Sequence, residues 1–268
     1  MAPEFKHLIL EQEGEIGWVT INRPGDRNSL NTPLMAELHQ ALEQMEAAGP
    51  RALVFSGAGP EYFIGGADGI EMMQCSPEEA RAFSRRVQAL CERLEMSPLI
   101  LLAAINGLCF GGGYEFALAC DLRIAAEEAR IGLPETKVGI IPGGGGTQRL
   151  PRLVGLGLAT EMILSGRLYK GPQAAALGLV NRWAPGDRLK EAARELLAEV
   201  LRQPRHALAH AKAALRASQR GGLEQGQMAE SAEFGRCFEQ GFFVELMRRQ
   251  LKEGKLKTTA KLPKGFLD

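Results

Sequence analysis

Ile105-Asn106-Gly107-Leu108-Cys109-Phe110-Gly111-Gly112-Gly113-Tyr114-Glu115-Phe116-Ala117-Leu118-Ala119-Cys120-Asp121 is the stretch around which this chain is organised. An apolar run, Leu99 to Ile105, reads as a buried strand and leads into three consecutive glycines. A short apolar helix follows, and Glu115 is its one residue unsuited to burial. A carboxylate among apolar neighbours is costly unless it is paired, protonated or at work. Glycines leave backbone N–H groups uncovered, and a helix N-terminus favours negative charge. The local chemistry is that of an anion site beside a buried carboxyl group.

Two more glycine-rich turns flank this stretch. Phe63-Ile64-Gly65-Gly66-Ala67-Asp68-Gly69 lies upstream, and Gly139-Ile140-Ile141-Pro142-Gly143-Gly144-Gly145-Gly146 downstream. Each follows a short apolar run. Parallel strands ending in such turns put free N–H groups along one sheet edge, where α/β proteins bind ligands. A dinucleotide fingerprint and a P-loop are both excluded on detail. Phe110-Gly111-Gly112-Gly113 does not fit GxGxxG, and Gly143 to Thr147 lacks the P-loop lysine. A second carboxyl candidate, Glu135, stands in a Pro-Glu turn just before the third glycine run. Two buried carboxyl groups near one anion site suit proton transfer and water activation.

The remaining pattern supplies the fold class. Residues 5–12 and 15–22 read as a hairpin, and Asn31-Thr32-Pro33 opens a helix that stops at Gly49-Pro50. Ala52 to Phe55 is a short buried strand, and Ser76-Pro77-Glu78-Glu79 starts a helix to about Met96. Further strands are expected at 122–125, 129–132 and 179–183, with a helix from about Thr147. From Asp187 the chain reads as helix alone: roughly 187–202, 204–219, 222–239 and a last one to about 253. The expectation is an α/β core over 1–185 and a helical segment over 186–268, divided near Pro185-Gly186.

Composition excludes several classes. The 268 residues are 45% hydrophobic and 24% charged, enough for one large core with a helical appendix. Lys+Arg and Asp+Glu are both 32, so no global field steers the chain to nucleic acid or to an anionic membrane. No apolar run is long enough to span a bilayer, and Met1 to Lys6 shows no targeting pattern. Five scattered cysteines without a CxxC read as reduced thiols in a cytoplasmic protein. His206 and His210 have metal-pair spacing on a helix, but no local carboxylate or cysteine completes a set, so no metal site is expected. Asp68 and Asp121 read as turn or cap residues by their local context. Lys252, Lys255, Lys257, Lys261 and Lys264 form a basic tail, read as solvated or as a phosphate contact.

These motifs, in this order and spacing, resemble the crotonase (enoyl-CoA hydratase/isomerase) superfamily over nearly the whole chain. The match rests on Ile105 to Glu115, on Leu133-Pro134-Glu135 through Gly139 to Leu150, and on Phe63 to Asp68. Asn22-Arg23-Pro24 with Asn28-Ser29-Leu30-Asn31, and Ser165-Gly166-Arg167 with Ala175 to Asn181, agree as well. The resemblance implies a spiral of ββα units followed by trimerising helices, assembled as a homotrimer or homohexamer. It implies an acyl-CoA thioester substrate and no separate cofactor. By similarity, the N–H groups of Ala67 and Gly112 form an oxyanion hole, Glu115 and Glu135 act on water, and the N–H of Gly143 positions that water. Gly66, Asp68, Gly111 and Pro142 would line the substrate. Both glutamates together favour hydration of a 2-enoyl-CoA. An enoyl-CoA isomerase, a ring-acting hydratase or hydrolase, and a non-catalytic binding relative are the alternatives. Two stretches depart from the family pattern: the loop around Ile64 and Gly69, and Phe234 to Glu245, where Phe242 and Phe243 replace the usual acidic run.

Overall fold

The computed structural model describes residues 5–258 and Leu262. Lys261 and Lys264 of the basic tail lie outside the described residues. Strands β1 (Leu8–Glu13) and β2 (Ile16–Ile21) form the expected hairpin around Gly14. Helix α1 (Thr32–Ala48) is capped by the Asn31 side chain, which accepts from the Leu34 N–H at 2.9 Å, and it ends at Gly49 with φ 88°. Strands β3 (Ala52–Gly57) and β4 (Tyr62–Ile64) precede a single-turn helix, α2 (Gly69–Met72). Helix α3 (Pro77–Met96) opens with a full capping box between Ser76 and Glu79.

Strand β5 (Ile100–Ile105) is buried along its whole length. It is followed by β6 (Leu108–Phe110), α4 (Gly112–Ala119), β7 (Leu122–Ala126) and β8 (Arg130–Gly132). Helices α5 (Gly146–Val154) and α6 (Leu156–Ser165) come next, then β9 (Tyr169–Lys170) and α7 (Gly171–Ala176). Strand β10 (Arg182–Ala184) and helix α8 (Leu189–Leu201) complete this part. The last strand therefore starts later than the apolar run suggests. Leu179 and Val180 are buried in the turn before it.

The strands form two sheets. One has the order β1-β2-β3-β5-β7-β10, parallel except for the β1–β2 hairpin; the other runs β4-β6-β8-β9. The chain crosses from the first sheet to the second at each step, β3 to β4, β5 to β6 and β7 to β8. That repetition is the spiral of ββα units. Phe116 of α4 ties the sheets together: its ring lies 5.1 Å from Phe55 of β3 and 6.3 Å from Phe63 of β4. All three rings are fully buried, and edge-on aromatic packing of this kind adds about 1 kcal/mol beyond area burial.

Two compact units are present, Met1–Arg202 and Gln203–Asp268. The boundary expected at 185/186 falls before α8, and α8 belongs with the first unit. The reason is its apolar face: Leu189, Ala193, Leu196 and Leu197 are buried, and the helix packs on β5, β7 and β10. The second unit holds α9 (Arg205–Ala217), α10 (Leu223–Glu239) and α11 (Phe242–Lys252). No helix among the described residues is long and apolar enough to cross a membrane.

Candidate active site

Helix α4 starts where the central strands end, and its geometry follows from Gly111. That residue has φ 55° and ψ −130°, a conformation for glycine, and it reverses the chain from β6 into the helix. Gly112 is the first helical residue, so its N–H has no partner within the helix. Ala67 comes beside it from the loop after β4. Leu30 donates to the Gly66 carbonyl and accepts from the Asp68 N–H, both at 2.8 Å. In this extended pairing alternate residues face alternate sides, so the N–H of Ala67 points away from Leu30. A Cβ placed on Gly112 would stand 3.2 Å from the Ala67 nitrogen. Two backbone N–H groups thus lie close together without a backbone acceptor among the described residues.

Glu115 is 2% exposed. Its Oε1 accepts from the N–H of Gly144 at 2.7 Å and of Gly146 at 2.8 Å. Burial outweighs these backbone donors and the nearby Arg149 guanidinium, and holds its pKa above the ordinary carboxylate value. Arg149 sets the donor turn from behind. Its Nη1 donates to the Gly144 carbonyl at 2.9 Å, and its Nε pairs with Glu95 at 2.7 Å. At Gly144 a side chain would have no room: a Cβ would come to 2.5 Å from Glu115 Oε2 and Val87 Cγ1.

Glu135 opens a single 3-10 turn, Glu135–Val138, after β8. Its Oε1 lies 3.2 Å from where a Cβ on Gly111 would stand, which sets it over the start of α4. Its Oε2 is buried and accepts no hydrogen bond from the described residues. Burial and the Glu115 charge raise its pKa to about 7. The two carboxyl groups therefore differ in kind. One is held by backbone donors; the other is half-buried, has no hydrogen bond to its Oε2 from the described residues, and is close enough to feel the first.

A family model described as enoyl-CoA hydratase/isomerase matches residues 11–253. The chain belongs to this enoyl-CoA hydratase/isomerase family. Among curated members, the short-chain-enoyl-CoA hydratase of Clostridium acetobutylicum is 37% identical over 236 residues, 88% of this chain and 90% of that protein. The crotonyl-CoA hydratase of Syntrophomonas wolfei is 34% identical over 235 residues, covering 87% and 90%. A crystal structure of an enoyl-CoA hydratase from Bacillus anthracis superposes with a TM-score of 0.85 at 35% identity, over 93% of this chain and 97% of that one.

Within this family framework the other candidates sort by their bonds. Asp68 caps α2, its Oδ1 accepting from Ile70 and Glu71, while Oδ2 lies 3.4 Å from Arg23. Asp121 accepts from the Leu101 N–H at 2.8 Å and fastens the end of α4 to β5. Gly143 and Pro142 lie on the turn leading to Glu115's donors, and Gly66 precedes Ala67. The atypical Ile64 is fully buried in β4, so its bulk fills core. His210 pairs with Glu233 at 2.7 Å and His206 meets Phe242 edge-on, ring centroids 5.5 Å apart, both inside the helical unit. No metal-binding group of three or more His, Cys, Asp or Glu side chains occurs among the described residues. The sequence pattern does not reveal Arg149, Ser84 or Gln88, which hold the Gly143–Gly146 turn; on sequence they are ordinary polar helix positions.

Proposed function

We propose that this chain is a carbon–oxygen lyase that adds water across the α,β double bond of a 2-enoyl-CoA, giving a 3-hydroxyacyl-CoA, and catalyses the reverse dehydration. The observation that carries this reading is the unlike pair of carboxyl groups beside two free backbone N–H groups. Environments that separate two carboxyl groups assign their roles. Glu115, whose Oε1 takes two backbone N–H bonds that favour its charged form over the unsupported carboxyl of Glu135, serves as the base and takes a proton from water. The hydroxide formed attacks the β-carbon, and the electron pair of the double bond moves toward the thioester carbonyl. The N–H groups of Ala67 and Gly112 receive the oxygen charge as it develops; one such donor is worth about 3 kcal/mol in related sites. Glu135, protonated near neutrality, delivers its proton to the α-carbon. One water is consumed, and passing the proton from Glu115 back to Glu135 restores the starting state.

The same reading takes the acyl-CoA thioester as sole substrate besides water, with no separate cofactor. The N–H of Gly143 helps to hold the water, and Gly66, Asp68, Gly111 and Pro142 line the substrate. The chain assembles with copies of itself as a trimer or a pair of trimers. Exposed Phe234, Phe238, Phe242 and Phe243 support that, since clustered surface aromatics mark association sites. Five free cysteines, three of them buried, suit a reducing compartment such as the cytoplasm.

Loss of enoyl-thioester absorbance with crotonyl-CoA tests the function directly. Turnover that falls by about 10²-fold or more in both Glu115→Gln and Glu135→Gln is the expected result. Full activity in Glu135→Gln would refute the two-carboxylate mechanism. Consumption of a 3-enoyl-CoA with crotonyl-CoA untouched would make the chain an isomerase.

A further inference from the structure

The peptide between Gly143 and Gly144 is gripped from both sides. Its carbonyl, on Gly143, accepts from Ser84 Oγ at 2.6 Å and from Gln88 Nε2 at 2.8 Å. Its N–H, on Gly144, donates to Glu115 Oε1 at 2.7 Å. In a trans peptide the C=O and N–H point in opposite directions. A pull on the carbonyl from α3 therefore aims the N–H at Glu115. Ser84 and Gln88 stand one helical turn apart, and Gln88 Nε2 lies 3.3 Å from Ser84 Oγ, so the two side chains form one clamp.

The clamp has a reason to exist. Residues 143 to 146 are all glycine, and such a run has no side chain to resist rotation of its peptides. The next carbonyl, on Gly144, is held by Arg149. Two successive carbonyls are thus tied outward, to α3 and to α5, while N–H groups of the same turn face the carboxylate. Neither Ser84 nor Gln88 hydrogen-bonds to Glu115 among the described residues.

We propose that Ser84 and Gln88 are positioning residues for Glu115, acting through the Gly143–Gly144 peptide to keep a backbone N–H on its carboxylate. The kinetic part of this proposal rests on the hydratase reading; the effect on Glu115 itself does not. Without the clamp the peptide is free to turn, Glu115 loses a donor to its charged form, and its affinity for a proton rises.

The test is a carboxyl-¹³C NMR titration of glutamate-labelled protein. A Glu135→Gln background removes the coupled neighbour, and the signal lost in Glu115→Gln assigns the resonance. The double variant Ser84→Ala/Gln88→Met is expected to raise the Glu115 midpoint by about one pH unit. An unchanged midpoint overturns the proposal whatever the enzyme turns over. With crotonyl-CoA and native Glu135, the same double variant is expected to lower kcat about tenfold with KM within about twofold, and restoring a hydroxyl as Ser84→Thr is expected to recover part of it. Equal loss in Ser84→Thr/Gln88→Met and Ser84→Ala/Gln88→Met would also overturn the clamp. Full hydration by Glu115→Gln would instead refute the function assigned to that residue, and the titration would still decide the clamp. Gln88 is exposed and Ser84 half-buried, so both changes sit where the fold tolerates them.

Discussion

Glu135 lies directly over Gly111: a Cβ on the glycine would stand 3.2 Å from the carboxyl Oε1. The glycine also has φ 55° and ψ −130°. Gly111→Ala therefore faces two costs at once, a strained backbone and a crowded carboxyl group. The backbone part alone is about 1–3 kcal/mol. The expected outcome is a lower thermal midpoint together with at least a tenfold drop in crotonyl-CoA turnover. Retention of full turnover would show that Glu135 has slack at this contact.

The raised pKa of Glu135 makes a prediction about stability against pH. Its folded value is about 7, above the ordinary 4.5, because burial and the Glu115 charge disfavour the carboxylate. The folded state thus holds this proton more tightly than the unfolded chain does. The stability it contributes is full below about 4.5 and is lost as pH rises through about 7. Glu135→Gln, which cannot ionise, is expected to stabilise the protein by about 2 kcal/mol near pH 8 and to change little near pH 4. Thermal midpoints at the two pH values check this. An equal gain at both would mean that the carboxylate is not the destabilising species.

How much of this site was legible in the sequence depends on what each residue advertises. Glu115 was visible because a lone acid in an apolar helix has few ordinary explanations. Glu135 was weaker, since an acid beside a proline opens many turns; only its place before a glycine run paired it with Glu115, and the family resemblance then gave the pair its roles. The first sheet was readable from its apolar runs. The second was less so: β4, β6 and β9 have three, three and two residues, too short for a period to show. The expected break at Pro185-Gly186 followed a change from strands to helices. Packing drew the line later, because α8 covers the sheet like any core helix. Ser84 and Gln88 were silent, as polar residues on an outer helix face always are, until the turn they hold came into contact with them.

Arg149 and Glu95 allow a coupling measurement. Their 2.7 Å ion pair is mostly buried, with side chains 18% and 13% exposed, and the same guanidinium holds the Gly144 carbonyl. Arg149→Met removes a partner from both and is expected to destabilise by about 2–3 kcal/mol. Adding Glu95→Gln is expected to return part of that loss, since a buried charge is removed along with its lost partner. Additive losses in the double variant would show the pair to be uncoupled. Arg149→Lys is not expected to replace arginine, because one ammonium cannot reproduce the planar fork that serves both acceptors.

The far end of α4 depends on another arginine. Arg123 is 6% exposed and donates to the carbonyls of Cys120 at 3.0 Å, Leu179 at 3.2 Å and Ala117 at 3.3 Å. Two of these carbonyls lie at the helix C-terminus, where few backbone donors are on hand and positive charge is favoured. The third ties in the turn before β10, whose Leu179 carbonyl also accepts from Tyr114 at 3.2 Å. Arg123→Met would leave these buried acceptors short of a donor, a loss of about 3 kcal/mol in total. Glu115 sits on the same two-turn helix, but its own donors come from the glycine turn at the opposite end. Arg123→Met is therefore expected to lower the thermal midpoint strongly while the pH dependence of turnover, measured well below that midpoint, keeps its shape. A shifted pH profile would show instead that the C-terminal anchor of α4 reaches the carboxylate.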